Sequence, residues 1–372
     1  MYDLAIIGAG INGCSVAYEM SNAKKSVILF DMEGVASGGS GAAGAFISPK
    51  FSKSGELKEL IHDAFLYSMD FYDTHFSHLL TKTPLLHIAK DEEDGKILKH
   101  YKEHTSIQLK TPSDTLLDKL TPLAKKQESI SMDAGVVDAQ AMCRAMCAGT
   151  KFVKEKIQSL VYDDGMWIIN DAYAAKEVVL ATGAYEQLIK EPYMQLRGVW
   201  GHRIDVRTTT DNPSSIHQFV SISPSKDGVL AIGATHNVHY HPQTAAQAYD
   251  IDEGRAELLE KAGRTLDLQN IEVLRDYTGL RSGSFDYMPL LGPLVLSKET
   301  LACGNIRFKV KNPDYDAYTY YPNLYMINGN GGYGFVLAPY LAKILREYIV
   351  SGQKINERLS PARFFARWAK KL

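Results

Sequence analysis

An α/β fold is predicted, with a parallel sheet flanked by helices and a second, mostly antiparallel sheet beside it. Three observations carry this. "DLAIIGAGINGCSVAYEM" is an apolar run, a glycine-rich turn and a helix-like run in immediate succession. "SVILFD" follows as a second apolar run that ends in an acid. "KEVVLATGAY" and "NLYMINGNGGYGFVLAPYLAKILREYI" then repeat the pattern of buried strand and small-residue turn, the second leading into a long helix. The chain has 372 residues, 45% hydrophobic and 23% charged, an ordinary globular composition with length for two domains.

In the opening turn, Gly8 permits a tight bend and Gly10 lets the backbone approach a pyrophosphate. Gly13 lets the helix pack close to the strand. Free N–H groups at the helix start, around Ile11 and Asn12, favour phosphate charge. Asp31 falls about 20 residues further on, where a carboxylate reaches a ribose 2′-hydroxyl and disfavours a 2′-phosphate. Strand, turn, helix, strand and acid in this order predict a dinucleotide site, with Met32 beside the ribose acid. Cys14 sits where a helix start lowers a thiol pKa, although a tightly packed small residue is the expected role.

The turn alone does not choose between NAD and FAD. Residues 34–46, "GVASGGSGAAGAF", are nearly all small. Directly after the ribose acid they read as backbone laid against a cofactor, with contacts at Ser37, Gly38, Ser40 and Gly41; a flexible loop is the alternative. The strand in "KEVVLATGAY" delivers Ala181, Thr182 and Gly183 to the same place. The turn of Gly329, Asn330, Gly331, Gly332, Tyr333 and Gly334 opens the last long helix, whose N–H groups suit the negative charge of a reduced flavin.

The order GAGING, ASGGSG, ATGAY, GLRSGSFDYMPLLG, NGNGGYGFVLAP resembles the flavoprotein superfamily of glycine oxidase, sarcosine oxidase and D-amino-acid oxidase, over nearly the whole chain. The resemblance implies a Rossmann-like FAD-binding domain of the glutathione-reductase type, assembled from residues 1–80, 136–195 and 279–372. It implies a second, mostly antiparallel β-sheet substrate domain from residues 81–135 and 196–278. FAD is the implied cofactor, bound noncovalently, with its adenine against Ile157 in "FVKEKIQSL". Arg281 in "YTGLRSGSFDYMPLLG" is the implied substrate-carboxylate anchor. A planar guanidinium grips a carboxylate with two parallel hydrogen bonds, which suits that role. The alternative for Arg281 is a structural ion pair with Asp276 or Asp286.

Within the superfamily, "PKFSKSGELKELIHDAFLYSMDFYD", "RGVWGHRI", "IGATHNVHYHP" and "LSPARFFARWAKKL" are similar to the FAD-containing half of the bifunctional enzymes of tRNA 5-methylaminomethyl-2-thiouridine biosynthesis. The implied activity is oxidative removal of the carboxymethyl group from carboxymethylaminomethyl-uridine at the tRNA wobble position, releasing glyoxylate. The alternative is oxidation of free glycine, sarcosine or a D-amino acid. Met1 lies two residues from the first strand, so a later methylation is expected to come from another protein, a methyltransferase acting downstream, or not to occur.

From Leu341 to Leu372 there are eight basic and two acidic residues, in a chain of net charge −2. Arg363, Arg367, Lys370 and Lys371, interleaved with Phe364, Phe365 and Trp368, are candidate RNA contacts. The alternative is an amphipathic terminal helix docked by its aromatics. His236, His239 and His241 read as lying on a strand, with no cysteine or carboxylate pair to complete a metal site, so no metal is expected. Tyr315, Tyr318, Tyr320 and Tyr321 are candidates for a substrate mouth or for ordinary packing. Cys143 and Cys147, one helical turn apart, read as small core residues. Four cysteines without a CxxC pair, no apolar run of about 18 residues and no signal peptide point to a cytoplasmic protein without membrane partners.

Overall fold

A computed structural model describes residues 1–185, 188–303, 306, 311 and 313–372. One sheet runs in the strand order Leu290–Val295, Tyr320–Asn328, Tyr173–Leu180, Tyr2–Ile7, Val27–Asp31, Lys151–Lys154. Every neighbouring pair from Tyr320–Asn328 to Lys151–Lys154 is parallel, and Leu290–Val295 closes one edge antiparallel. A strand at the middle of a parallel sheet is covered on both faces, so Leu4, Ala5, Ile6 and Ile7 are all buried and the sequence there does not alternate.

On one face lie the helices Ile11–Asn22, Glu56–Phe76 and Gly334–Ser351, packed against one another around a shared apolar cluster. Pro339 interrupts the last of these near its start. Lacking an N–H, it leaves the Phe335 carbonyl without its helical donor. The Tyr72 hydroxyl, fully buried, donates to that carbonyl at 2.8 Å, and Ser68 donates to the Val336 carbonyl at 2.7 Å. Tyr72→Phe is therefore expected to lower stability by about 1–3 kcal/mol, the cost of a buried acceptor left bare. The midpoint of urea unfolding would read this loss with the slope unchanged.

The second sheet runs Glu272–Ser284, Leu196–Arg207, Val229–Gly233, Ser221–Ile222, Ser215–His217, Leu80–Ile88, Ser129–Val137, Phe46–Ile47, with Leu109–Lys110 added to Ser129–Val137. All its pairs are antiparallel except Ser215–His217 with Leu80–Ile88. Its strands run past the limits expected at 135 and 278, and Phe46–Ile47 joins it from the flavin-loop side. The Glu272–Ser284 strand thus reaches from one sheet to the other, ending in a bridge from Gly283 to Asn330.

One sequence reading needs correction, and at two places the fold agrees with one of the alternatives left open. "THNVHYHP" is not a regular strand: the strand ends at Gly233, Thr235 and Asn237 keep isolated backbone bonds to His202 and Trp200, and the Asn237 side chain accepts the N–H groups of His239 and Tyr240 in a turn. The C-terminal helix Ala362–Ala369 is docked by Phe364 and Phe365 into the apolar cluster on the sheet's other face. Tyr315, Tyr318, Tyr320 and Tyr321 pack in or against that same cluster and do not line the central cavity. Among the described residues, no helix is long and apolar enough to cross a membrane.

Candidate cofactor and substrate site

The small-residue turns converge on one cavity of about 1190 Å³. Gly8 has φ +106°, and a Cβ there would overlap the Ala181 carbonyl, so first strand and third turn touch through backbone. Gly13 and Gly41 do not line the cavity. A Cβ on them would overlap the carbonyls of Gly8 and Ala36, so they serve to close the two turns. Gly10 does line it; a Cβ there would meet only Ser40, 3.0 Å from its hydroxyl oxygen, and otherwise point into the cavity.

Asp31 holds this end together. Its Oδ2 accepts the Ala9 N–H at 2.8 Å. Its Oδ1 accepts the N–H groups of Glu33 and Gly34 at 2.9 and 3.0 Å and the Ser37 hydroxyl at 3.2 Å. Oδ2 keeps a second lone pair for a ribose hydroxyl. The Ile11 N–H is turned onto the Ser40 hydroxyl at 2.9 Å, tying the helix start to the 34–46 loop. Met32, Ser37, Gly38, Ser40, Ile157, Ala181, Thr182 and Gly183 line the same cavity.

Side-chain amides stitch the remote segments. Asn330 donates to the Asn12 Oδ1 at 2.7 Å, and Asn12 donates to the Ile327 carbonyl at 3.3 Å. Asn328 donates to the Gly183 carbonyl at 2.9 Å and accepts from the Ser282 hydroxyl at 2.7 Å. The Asn330 Oδ1 is buried without a protein partner. A Cβ on Gly331 or Gly332 would meet open space, and Gly329, Tyr333 and Gly334 complete the turn at the cavity wall. Burial pushes the Tyr333 phenol up to about 12. A trough of glycine backbone, a ribose-side carboxylate, helix-start N–H groups and an unpaired amide oxygen together fit a flavin dinucleotide.

Arg281 lies in the same cavity, on the Glu272–Ser284 strand opposite Val199. Its Nη1 donates to the Thr235 carbonyl at 3.0 Å, and burial pulls its pKa below the ordinary arginine value. Gly201, on the paired strand, makes room: a Cβ there would overlap the guanidinium. Asp276 is occupied by Arg255, at 2.5 and 2.9 Å, and by His202 at 2.9 Å. Asp286 is occupied by Arg363. Neither is a partner for Arg281, and among the described residues no carboxylate pairs with it.

The surrounding histidines are held neutral. Burial, with the charges of Arg281 and Arg197, lowers the His236 pKa. Burial and a neighbouring cation push His87 down to about 4; burial beside His87 pushes His217 down to about 3. The nearby wall is aromatic: Phe51 stacks on His87 at 4.2 Å and Phe46 meets His217 edge-on at 5.0 Å. This end offers a bare buried guanidinium in a neutral, aromatic setting, suited to one small carboxylate.

The tail reading changes at Arg363. Its guanidinium makes two hydrogen bonds to Asp286, at 2.9 and 3.0 Å, and donates to three carbonyls, with the side chain 9% exposed. That geometry leaves it nothing for a phosphate. Arg367, Lys370 and Lys371 are exposed. Cys14 is buried, and the adjoining Cys143 thiol and burial push its pKa up, not down. Nothing in the sequence singles out Arg197, Tyr287, His87 or His217 for the cavity that they line. Only the strand register, with Arg197 opposite Gly283, brings the first two together.

Residues 3–348 match the family described as DAO, FAD dependent oxidoreductase. The chain is 24% identical over 398 residues to the tRNA 5-methylaminomethyl-2-thiouridine biosynthesis bifunctional protein MnmC of Legionella pneumophila (strain Lens), covering 97% of this chain and 57% of that protein. It is 24% identical to the protein of the same name from Leptospira interrogans serovar Lai, covering 99% of this chain and 61% of that one. The chain thus spans less than two thirds of the length of these relatives. Among solved structures, glycine oxidase from Bacillus cereus ATCC 14579 superposes with a TM-score of 0.76 at 18% identity, covering 96% of this chain and 97% of that one. Iminodiacetate oxidase from Chelativorans sp. BNC1 does so with a TM-score of 0.72 at 18% identity, covering 96% and 98%. The chain belongs to the DAO family of FAD-dependent oxidoreductases.

Proposed function

We propose that the protein removes the carboxymethyl group from a secondary amine R–NH–CH₂–COO⁻, with R the wobble uridine of a tRNA. The observation that carries the acid part is Arg281, a buried guanidinium in the cofactor cavity with no carboxylate partner among the described residues. The tRNA part is supported by the relatives named for tRNA 5-methylaminomethyl-2-thiouridine biosynthesis.

FAD, when bound, supplies the acceptor for the hydride from the methylene carbon. The chain's residues bind and orient. Arg281 takes both carboxylate oxygens, and because its fork is planar it sets the direction of the Cα–H bond as well as holding charge. The Thr235 carbonyl and Gly201 fix the guanidinium in turn. His236, kept uncharged, adds no third positive charge beside Arg281 and Arg197, so it does not disfavour a cationic or neutral amine. A neutral amine drives hydride loss with its own lone pair, so no protein base is required. The imine left on the substrate takes up water and separates into R–NH₂ and glyoxylate. That primary amine is the nucleophile a methyltransferase would consume.

Anaerobic mixing of the yellow protein with tRNA bearing carboxymethylaminomethyl-uridine is expected to bleach the flavin and release glyoxylate in equal amounts. Iminodiacetate, a small amine with the same carboxymethyl arm, serves as a substrate probe free of RNA. Bleaching by glycine, sarcosine or a D-amino acid with none by tRNA would replace this reading with that of a free amino-acid oxidase. No bleaching by any of them would overturn turnover itself.

A further inference from the structure

The amine chemistry does not use everything at the edge of this cavity. Arg197 lies over the ring of Tyr287, its guanidinium carbon 5.1 Å from the ring centre, and both residues line the cavity. Tyr287 is 62% exposed and Phe285 49% exposed. Tyr287 also holds a left-handed backbone, φ +64°, which a bulky residue keeps only where its surroundings impose it. Asp286 imposes it. Its Oδ1 accepts the Ser284 hydroxyl at 3.0 Å and the Met288 N–H at 3.3 Å, and both its oxygens grip Arg363 from the C-terminal helix. Arg363 further donates to the Met288 carbonyl at 2.8 Å, closing the turn from the other side. Burial alone would push the Asp286 carboxyl up; Arg363 reverses this and holds it below its usual range, so the clamp stays charged at neutral pH.

An exposed ring fixed in place, with a cation against it, is the combination that binds single-stranded nucleic acid. A base stacks on the ring while the guanidinium meets a phosphate. A substrate whose carboxymethyl arm reaches Arg281 must leave its base and ribose-phosphate nearer the cavity edge, where this pair stands. We infer that Tyr287 and Arg197 form a base-stacking, phosphate-binding subsite for loop RNA, and that the C-terminal helix is its brace through Arg363 rather than an RNA contact. This rests on the tRNA reading above.

The test measures binding without turnover. FAD-loaded protein is titrated into a fluorescently labelled, unmodified anticodon stem-loop RNA with uridine at the wobble position, and anisotropy is followed at several salt concentrations. Tyr287→Gly removes the ring and relieves the left-handed backbone, so folding is preserved. It is expected to weaken binding about 10-fold, within the range for one lost stacking contact, and to leave the salt slope unchanged. Tyr287→Phe is expected to stay within about twofold of wild type, since stacking needs only the ring. Arg197→Ala should weaken binding and flatten the salt slope by about one. FAD absorbance and melting temperature check that each variant is intact. The subsite is overturned if the wild type does not bind this RNA, if Tyr287→Gly binds as tightly as wild type, or if Tyr287→Phe is as weak as Tyr287→Gly. The two proposals fail separately. RNA binding that depends on Tyr287, without bleaching by modified tRNA, keeps the subsite and removes the reaction. Bleaching by tRNA with binding indifferent to Tyr287 keeps the reaction and removes the subsite.

Discussion

Arg281→Ala is expected to lower the efficiency of flavin reduction by substrate by roughly 30- to several-thousand-fold, with FAD content unchanged. The range corresponds to about 2–5 kcal/mol for one partner of a desolvated, charge-assisted pair. The guanidinium is buried, its sole protein bond among the described residues is to the Thr235 carbonyl, and a carboxylate arriving there relieves an uncompensated buried charge. Arg281→Lys keeps the charge and loses the fork, so its loss should be milder. Gly201→Ala leaves Arg281 in the chain but occupies its space, so it should also impair reduction. Anaerobic stopped-flow traces against substrate concentration read all three. A near wild-type efficiency for Arg281→Ala would move the carboxylate elsewhere and discard the proposed pose.

Gly10→Val should leave a folded protein that has lost its yellow colour. A Cβ at this position meets only Ser40 within 4 Å, and Gly10 lines the cavity where the cofactor backbone must approach. Overpacking of a close contact costs about 1–3 kcal/mol, so FAD affinity should fall by roughly 10- to 100-fold or more. Gly13→Val is the instructive contrast. Its side chain would strike the Gly8 carbonyl, so the turn itself must move and the protein should unfold early, with or without FAD. Far-UV circular dichroism and flavin absorbance together separate the two outcomes. Full FAD retention in Gly10→Val would falsify the placement of the cofactor.

What was legible in the sequence is what depends on backbone conformation and short spacing. Gly8, Gly10 and Gly13 each announce a local need for a bare Cα, and Asp31 follows at a fixed interval along one strand–helix–strand unit. What was not legible depends on register between distant strands. Arg197 meets Tyr287 because Leu196–Arg207 pairs along Glu272–Ser284 at one register and not another. The tail left two readings open for a related reason. Composition counts Arg363 as one more positive charge; only the fold reveals Asp286 waiting for it. The histidines of "THNVHYHP" read as a strand in the sequence, whereas the regular strand ends at Gly233 and the Asn237 side chain starts a turn.

The amide link between Asn12 and Asn330 has a bearing on how the chain comes to hold its cofactor. The first strand pairs at once with Val27–Asp31, but its other neighbour, Tyr173–Leu180, and the next strand beyond, Tyr320–Asn328, come much later in the chain. During synthesis at about 5–20 residues per second, the apolar edge at Leu4–Ile7 stands open until residue 180 emerges, and the Asn12 turn lacks its partner for roughly 15–60 seconds. The pyrophosphate turn is thus made long before it is completed. Flavin therefore meets its whole site only once residue 330 has emerged, and until its later partners arrive the growing chain carries an open, strand-forming edge.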